Sequence, residues 1–291
     1  MSAHPRTTAE NPRGNATADP GPAAADRGHA SARDRSRLPL LRDVRAVVFD
    51  TDGVITDSAR LHAAAWKTAF DACLRAHPSR DPGPERPFDL PADYLRYVDG
   101  RSRLDGAASF LASRELRLPA GSPDDLPGTG TVGAVAARKE QLFVERLSQG
   151  RIEAYPGTVR LLRILHARGV PMAAVSASRH AGELLRDAGV FELFAALVEG
   201  AEAARLALPG KPDPALFLEA ARRLGTPVEH TAVVEDALAG VEAGRRGGFG
   251  LVIGVDRTAG PDTGAALLGH GADVVVGDLA ELFDDDGEVQ P

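Results

Sequence analysis

The sequence predicts an α/β protein, a Rossmann-like parallel-sheet core into which an all-helical cap is inserted. Three observations carry that expectation. Ala46 to Phe49 is apolar at every position, as expected of an inner parallel strand with helices on both faces. From Tyr155 onward, helical and strand patterns alternate in the rhythm of crossover connections. Between Thr56 and Arg168 the apolar spacing is helical and no convincing strand occurs, so this stretch reads as a separate helical unit. The expected organisation is a core from 39–58 and 154–283, a cap over 59–153, a disordered tail over 1–38 and an acidic tail over 284–291.

Taken in order, Met1 to Arg37 has no Val, Ile, Leu, Phe, Trp or Tyr, and such a segment buries too little apolar surface to offset its ordering entropy. It lacks the apolar core of a secretory signal, and Glu10, Asp19, Asp26 and Asp34 argue against a transit peptide. After the first strand, Ser58 to Ala76 has helical spacing, with Leu61, Ala65, Phe70 and Leu74 on one side and Trp66 beside it. Pro78 and the run from Asp81 to Pro87 break it. Helices are expected over Ala92 to Val98, Gly106 to Arg114 and Val135 to Leu147, with a Pro/Gly-rich loop from Pro119 to Gly133.

In the second half, helix Gly157 to Ala167 leads to strand Val170 to Val175, which stops at Ser176, and helix Arg179 to Ala188 ends at Gly189, a natural cap. Helix Pro214 to Leu224 follows Lys211, and strand Thr231 to Val234 stops at Glu235 and Asp236. Helix Ala237 to Arg246 and strands Phe249 to Ile253 and Asp273 to Val276 complete the pattern.

The 291 residues suffice for one α/β domain plus an insertion, or for two domains. A net charge of -7 and a pI near 5.6 argue against nucleic acid or an anionic membrane as partner. Cys73, the sole cysteine, excludes a disulfide framework and a thiolate metal cluster and reads as a packed core thiol. No apolar run approaches the ~20 residues that span a bilayer. A cytoplasmic monomer acting on a small molecule is expected. Asp284 to Asp286 reads as a solvated acidic tail.

Asp50 and Asp52 lie two residues apart, so an extended chain points both the same way, and Gly53 permits a tight turn after them. Taken alone, Asp-x-Asp is equally an ordinary strand end followed by an Asx turn. Three strands, however, end at their C-terminal tips in reactive groups: Asp50 with Asp52, Ser176, and Glu235 with Asp236. Ligands of open parallel sheets bind outside those tips. Four carboxylates with Lys211 and one hydroxyl suit Mg²⁺ and a phosphate. Attack of a carboxylate on a phosphate dianion is opposed by about 4 kcal/mol for each like-charged pair at ~4 Å and an effective dielectric of ~20. Mg²⁺ held by Asp50 and Asp236, with Lys211 and Ser176 on the phosphate, would relieve it. Asp50 could then form an aspartyl phosphate while Asp52 serves as acid and base.

Phe49 to Asp57, Ser176, Lys211-Pro-Asp-Pro214 and Val234 to Val241 resemble the four motifs of the haloacid dehalogenase superfamily, in order and spacing. Val54-Ile-Thr-Asp57 followed by His62 and Trp66-Lys67, together with Ser176-Ala-Ser-Arg-His180, resembles its β-phosphoglucomutase branch. The resemblance covers roughly Arg45 to Leu282. It implies Asp50 as nucleophile and Asp52 as general acid and base, with His62 helping to activate Asp52. It implies a Mg²⁺ site from the Asp50 side chain, the Asp52 carbonyl and Asp236, with Glu235 in or beside it. Ser176 and Lys211 would hold the transferring phosphate, Arg103 would bind the distal one with Ser178 and Arg179 facing it from the core, and Ala177 would join these phosphate-binding residues. Asp99 departs from the branch, which has a lysine there, as do Arg179 and His180, where lysine and asparagine are usual. Arg101, Arg138 or Lys139 is a candidate for the missing positive charge.

The function expected is Mg²⁺-dependent phosphoryl transfer that interconverts β-glucose 1-phosphate and glucose 6-phosphate. The alternatives are a sugar-phosphate phosphatase using the same residues and a non-catalytic sugar-phosphate sensor. Asp52 and the Glu235-Asp236 pair count against halide displacement.

Overall fold

A computed structural model describes residues 43–78, 86–150, 152–258 and 261–283. The expected tails, the core residues before Asp43 and most of the Asp81 to Pro87 break lie outside the described residues.

The first strand, β1 (Ala46–Asp50), is followed by three helices, α1 (Ala59–Ala76), α2 (Arg103–Ser113) and α3 (Val132–Leu147), with a five-residue π-helical turn at Tyr94–Val98. Then come α4 (Pro156–Ala167), β2 (Met172–Val175), α5 (Ala181–Asp187), β3 (Ala196–Val198), α6 (Gly200–Arg205) and α7 (Ala215–Leu224). The chain continues with β4 (Thr231–Glu235), α8 (Leu238–Arg246), β5 (Leu251–Val255), α9 (Pro261–His270) and β6 (Val274–Val276). The six strands form one parallel sheet in the order β3-β2-β1-β4-β5-β6.

Alternate residues of a strand face opposite sides of a sheet. Val47 and Phe49 accordingly join Leu162, Val234 and Ile253 on one face, while Val48 joins Phe217, Val233 and Val252 on the other. Both faces are covered, so the inner strands are buried from end to end. β1 lies between β2 and β4, which brings the tips ending in Asp50, Val175 and Glu235 side by side.

The helical insertion has its own core of Trp66, Phe70, Phe88 and Phe110, with the Phe70 and Phe110 rings 4.1 Å apart. The buried stripe of α1 runs His62, Ala65, Trp66, Ala69, Phe70 and Cys73. It is rotated from the expected Leu61 to Leu74 side because His62 and Trp66 turn inward toward a cavity. Cys73 packs in this core as expected, and burial pushes its thiol up to about 11. Helix starts follow local chemistry: Ser102 caps α2 through Asp105 N–H, and Thr131 caps α3 through Ala134 N–H. Gly189, at φ 68°, follows the end of α5.

The expected boundaries shift by a few residues, and strands start later than the apolar pattern suggested, β2 at Met172 rather than Val170 and β5 at Leu251 rather than Phe249. Three elements escaped the pattern, among them the six-residue helix α6. β3 has three residues, two of them only half-buried, and α9 carries Gly264 and Gly269 within its span.

Candidate active site

β1 stops at Asp50 and the chain turns at once, with Ile55 N–H and Thr56 N–H both donating to Thr51 O at 2.9 and 3.0 Å. Gly53 has φ +87°, and a Cβ there would fall 1.8 Å from Asp236 Oδ2. Glycine thus lets the Asp236 carboxylate rest against the turn. Arg257, after β5, clamps the same turn by donating to Gly53 O at 3.0 Å and Val54 O at 3.2 Å.

Lys211, fully buried before α7, donates to Asp50 Oδ1 and, at 3.0 Å, to Glu235 Oε2. Asp50, Glu235 and Asp236 each bring an oxygen within 4.8 Å of the others. Burial raises the pKa of all three, partly offset by Lys211, whose own pKa is raised by Asp50 and Glu235 against the effect of its burial. Glu235 Oε1 is buried without a hydrogen-bond partner, and Gly240 makes room for it, since a Cβ there would lie 2.0 Å away. An orphaned carboxylate oxygen, excess negative charge and an all-oxygen donor set fit a hard divalent cation such as Mg²⁺.

Asp52 does not join that cluster. Because the strand ends at Asp50, Asp52 turns away and accepts hydrogen bonds from Ser58 Oγ, Ser176 Oγ at 2.8 Å and His62 Nε2 at 3.2 Å. Burial alone would raise its pKa, but His62, Ser58 and Ser176 more than offset this and hold it well below the usual range. On the far side of the imidazole, Lys139 Nζ lies 2.8 Å from His62 Nδ1. An ammonium only donates, so Nδ1 is the acceptor and Nε2 carries the hydrogen aimed at Asp52. Burial and the Lys139 charge lower the His62 pKa, in keeping with a neutral ring, which stacks on Phe143 at 3.9 Å.

These groups open onto a cavity of about 730 Å³ between sheet and cap. Ala177, Ser178 and Arg179 line it from the core and Arg103 from the cap, whereas Ser176 is fully buried beneath. Arg103 opens α2 rather than lying in a loop, and its Nη2 donates to Pro123 O at 3.0 Å. Burial and the charge of Arg179 lower its pKa, which marks two cations sharing one end of the cavity. Beside them His180 Nε2 donates to Glu140 Oε1 at 2.7 Å, joining core to cap.

Asp50, Asp52, His62, Arg103, Ala177 to Arg179, Lys211, Glu235 and Asp236 therefore line one cavity and Ser176 lies beneath it, whereas Arg138, a candidate for the missing positive charge, does not line it and His180 stands beside it. Sequence reading missed Ser58, Arg257, the pairing of Lys139 with His62, and the Glu140–His180 contact. Only the caps and glycines near them carried a local signal.

A family model described as haloacid dehalogenase-like hydrolase matches residues 44–248. The chain is 44% identical over 250 residues to a β-phosphoglucomutase of Mycobacterium bovis, covering 86% of this chain and 95% of that one. It is 30% identical over 241 residues to a β-phosphoglucomutase of Bacillus subtilis, covering 82% and 92%. A solved hydrolase from Pseudomonas syringae shares the fold at a TM-score of 0.64 and 24% identity, covering 85% of this chain and all of that one. With both motifs and cavity in place, the chain belongs to the haloacid dehalogenase-like hydrolases, in their β-phosphoglucomutase-like branch, and is a phosphomutase or phosphatase.

Proposed function

We propose that this enzyme is a Mg²⁺-dependent β-phosphoglucomutase, converting β-glucose 1-phosphate to glucose 6-phosphate through an aspartyl phosphate on Asp50. The observation that carries the reading is the hydrogen-bonded series Lys139–His62–Asp52, which ties the acid/base group of the core to two cap side chains. Asp50, Glu235, Asp236 and the carbonyl of Asp52 would hold the cation, which when bound supplies charge neutralisation for the phosphoryl group.

Asp50 carries the phosphoryl group, and ionised Asp52 takes the proton from a sugar hydroxyl as that oxygen bonds to phosphorus and the Asp50–phosphate bond breaks. The bisphosphate then reorients. Asp50 attacks its other phosphorus, and protonated Asp52 returns the proton to the leaving sugar oxygen. One proton and one phosphoryl group are each taken and returned, so the cycle balances. The lowered pKa of Asp52 suits the base step, and its donors Ser58, Ser176 and His62 hold the accepting oxygens in place. Lys211 neutralises Asp50 before attack. Ser178, Arg179 and Arg103 serve the distal phosphate, and Arg103 is held toward the cavity by the Pro123 carbonyl. The seated cap excludes water from the aspartyl phosphate.

A tenfold preference for sugar over water needs only ~1.4 kcal/mol of barrier difference. The test is therefore product analysis with β-glucose 1-phosphate, Mg²⁺ and a trace of the bisphosphate. Glucose 6-phosphate is expected; stoichiometric inorganic phosphate without it would assign the phosphatase activity instead.

A further inference from the structure

We propose that Asp99 couples seating of the cap to binding of a divalent cation by Asp50, Glu235 and Asp236. The inference rests on the cation-dependent reading above and assigns the cap a part in it.

Val98 to Arg101 forms a tight turn, closed by Arg101 N–H donating to Val98 O at 3.1 Å. Asp99 has φ -61° and ψ 131°, and Gly100 has φ +69°, the geometry of a type II turn with glycine where φ must be positive. This turn sits directly on the core loop that carries the cation-binding carboxylates. A Cβ on Gly100 would lie 2.8 Å from Ala237 Cβ and 3.6 Å from Glu235 Oε1. Glycine at 100 allows that approach, and it places Asp99 at the corner of the turn, on the wall of the same cavity as Asp50, Asp52 and Asp236.

The electrostatics of that position oppose closure of an empty site. Asp99 shares its cavity wall with Asp50, Asp52 and Asp236, and the cation nearest those carboxylates is Lys211. Lys211 is already engaged by Asp50 and Glu235. Independently, buried Glu235 Oε1 has no partner, which points to a cation beside the turn. A cation converts the repulsion between Asp99 and the core carboxylates into attraction. By linkage, whatever the cation adds to seating of the cap, the seated cap adds to cation affinity.

The test uses the full chain with Mg²⁺ alone and no substrate. Calorimetry measures the Mg²⁺ affinity, and small-angle scattering measures the radius of gyration as the cap seats. In the unmodified protein, Mg²⁺ is expected to reduce the radius. In Asp99→Asn and Asp99→Ala, the cap seats without Mg²⁺, the further reduction is lost, and Mg²⁺ binds about fivefold or more weakly. Circular dichroism verifies that the variants fold, and either one suffices. Variants with unchanged Mg²⁺ affinity and an unchanged Mg²⁺ response of the radius overturn the role of Asp99 and leave the cation-dependent function standing. Absence of Mg²⁺ binding by the unmodified protein overturns both.

Discussion

Two buried lysines, Lys211 in the core and Lys139 in the cap, are 1% and 4% exposed, yet their surroundings drive them in opposite directions. Lys211 lies between Asp50 and Glu235, which hold its charge in place and raise its pKa despite burial. Lys139 is bonded to the imidazole of His62 and faces the rings of Phe143 and Trp66 at 4.9 and 5.5 Å. Burial lowers its pKa to about 8, the nearby carboxylates Glu140 and Asp52 offsetting only part. The core lysine is a permanent counter-charge built with the sheet. The cap lysine is held at a cost in solvation. The core thus balances its buried charge with carboxylates, whereas the cap sets its own against a neutral imidazole and aromatic rings.

Four expected outcomes break or sharpen that contrast. The largest effect belongs to the core. Asp50→Asn should reduce phosphoryl transfer by three decades or more, about 4 kcal/mol at roughly 1.4 kcal/mol per decade, with the circular dichroism spectrum unchanged. Persisting transfer would remove Asp50 from the nucleophile role.

Exchanging the two lysines for apolar residues comes next. Lys211→Ala leaves Asp50 and Glu235 buried without their ammonium and should cost about 3–5 kcal/mol of stability in denaturant titration. Lys139→Met should slow turnover about a hundredfold, within the range of acid/base assistance, without lowering the thermal midpoint. Equal loss of stability in both variants would end the distinction between them.

Arg103→Ala should raise KM for the sugar phosphate about tenfold, roughly one charge-assisted hydrogen bond, and leave hydrolysis of a small aryl phosphate unchanged. Loss of both activities alike would place Arg103 among the reacting groups instead.

The smallest effect concerns pH. In the Glu140–His180 pair, the hydrogen bond to Glu140 raises the His180 pKa above 6.5, against burial. The Glu140 pKa is lowered from 4.5 to about 2, because His180 and Lys139 outweigh burial. A raised His180 pKa gives stabilisation that is complete below 6.5 and lost as pH rises through the shifted value. A lowered Glu140 pKa gives stabilisation that is complete above 4.5 and lost as pH falls toward about 2. The core–cap contact is therefore strongest between 4.5 and 6.5 and weakens at alkaline pH. KM for the sugar phosphate should rise as the pH increases above 6.5 in the unmodified enzyme and rise less steeply in His180→Asn. An equal slope in both would remove the pair from control of the cap.

What the sequence by itself determined lies within single segments. An apolar run that stops in Asp50, in Ser176 or in Glu235-Asp236 is a local pattern, and so is the alternation that makes the sheet parallel and seats those tips on one edge. Gly53 and Gly240 were visible as residues, but only the fold shows that they vacate space for Asp236 and Glu235. Edge strand β3 and helix α9 were illegible because short or glycine-bearing segments carry weak periodicity. The pairing of Lys139 with His62 spans 77 residues, and that of His180 with Glu140 spans 40. Such contacts leave no trace in local spacing, because they depend on how α1 and α3 pack together and on where the cap rests over the sheet. Asp99 was legible only as an acid in an unexpected place. Its position above the carboxylates was decided by the turn at Gly100 and by the close seat of that turn on Ala237.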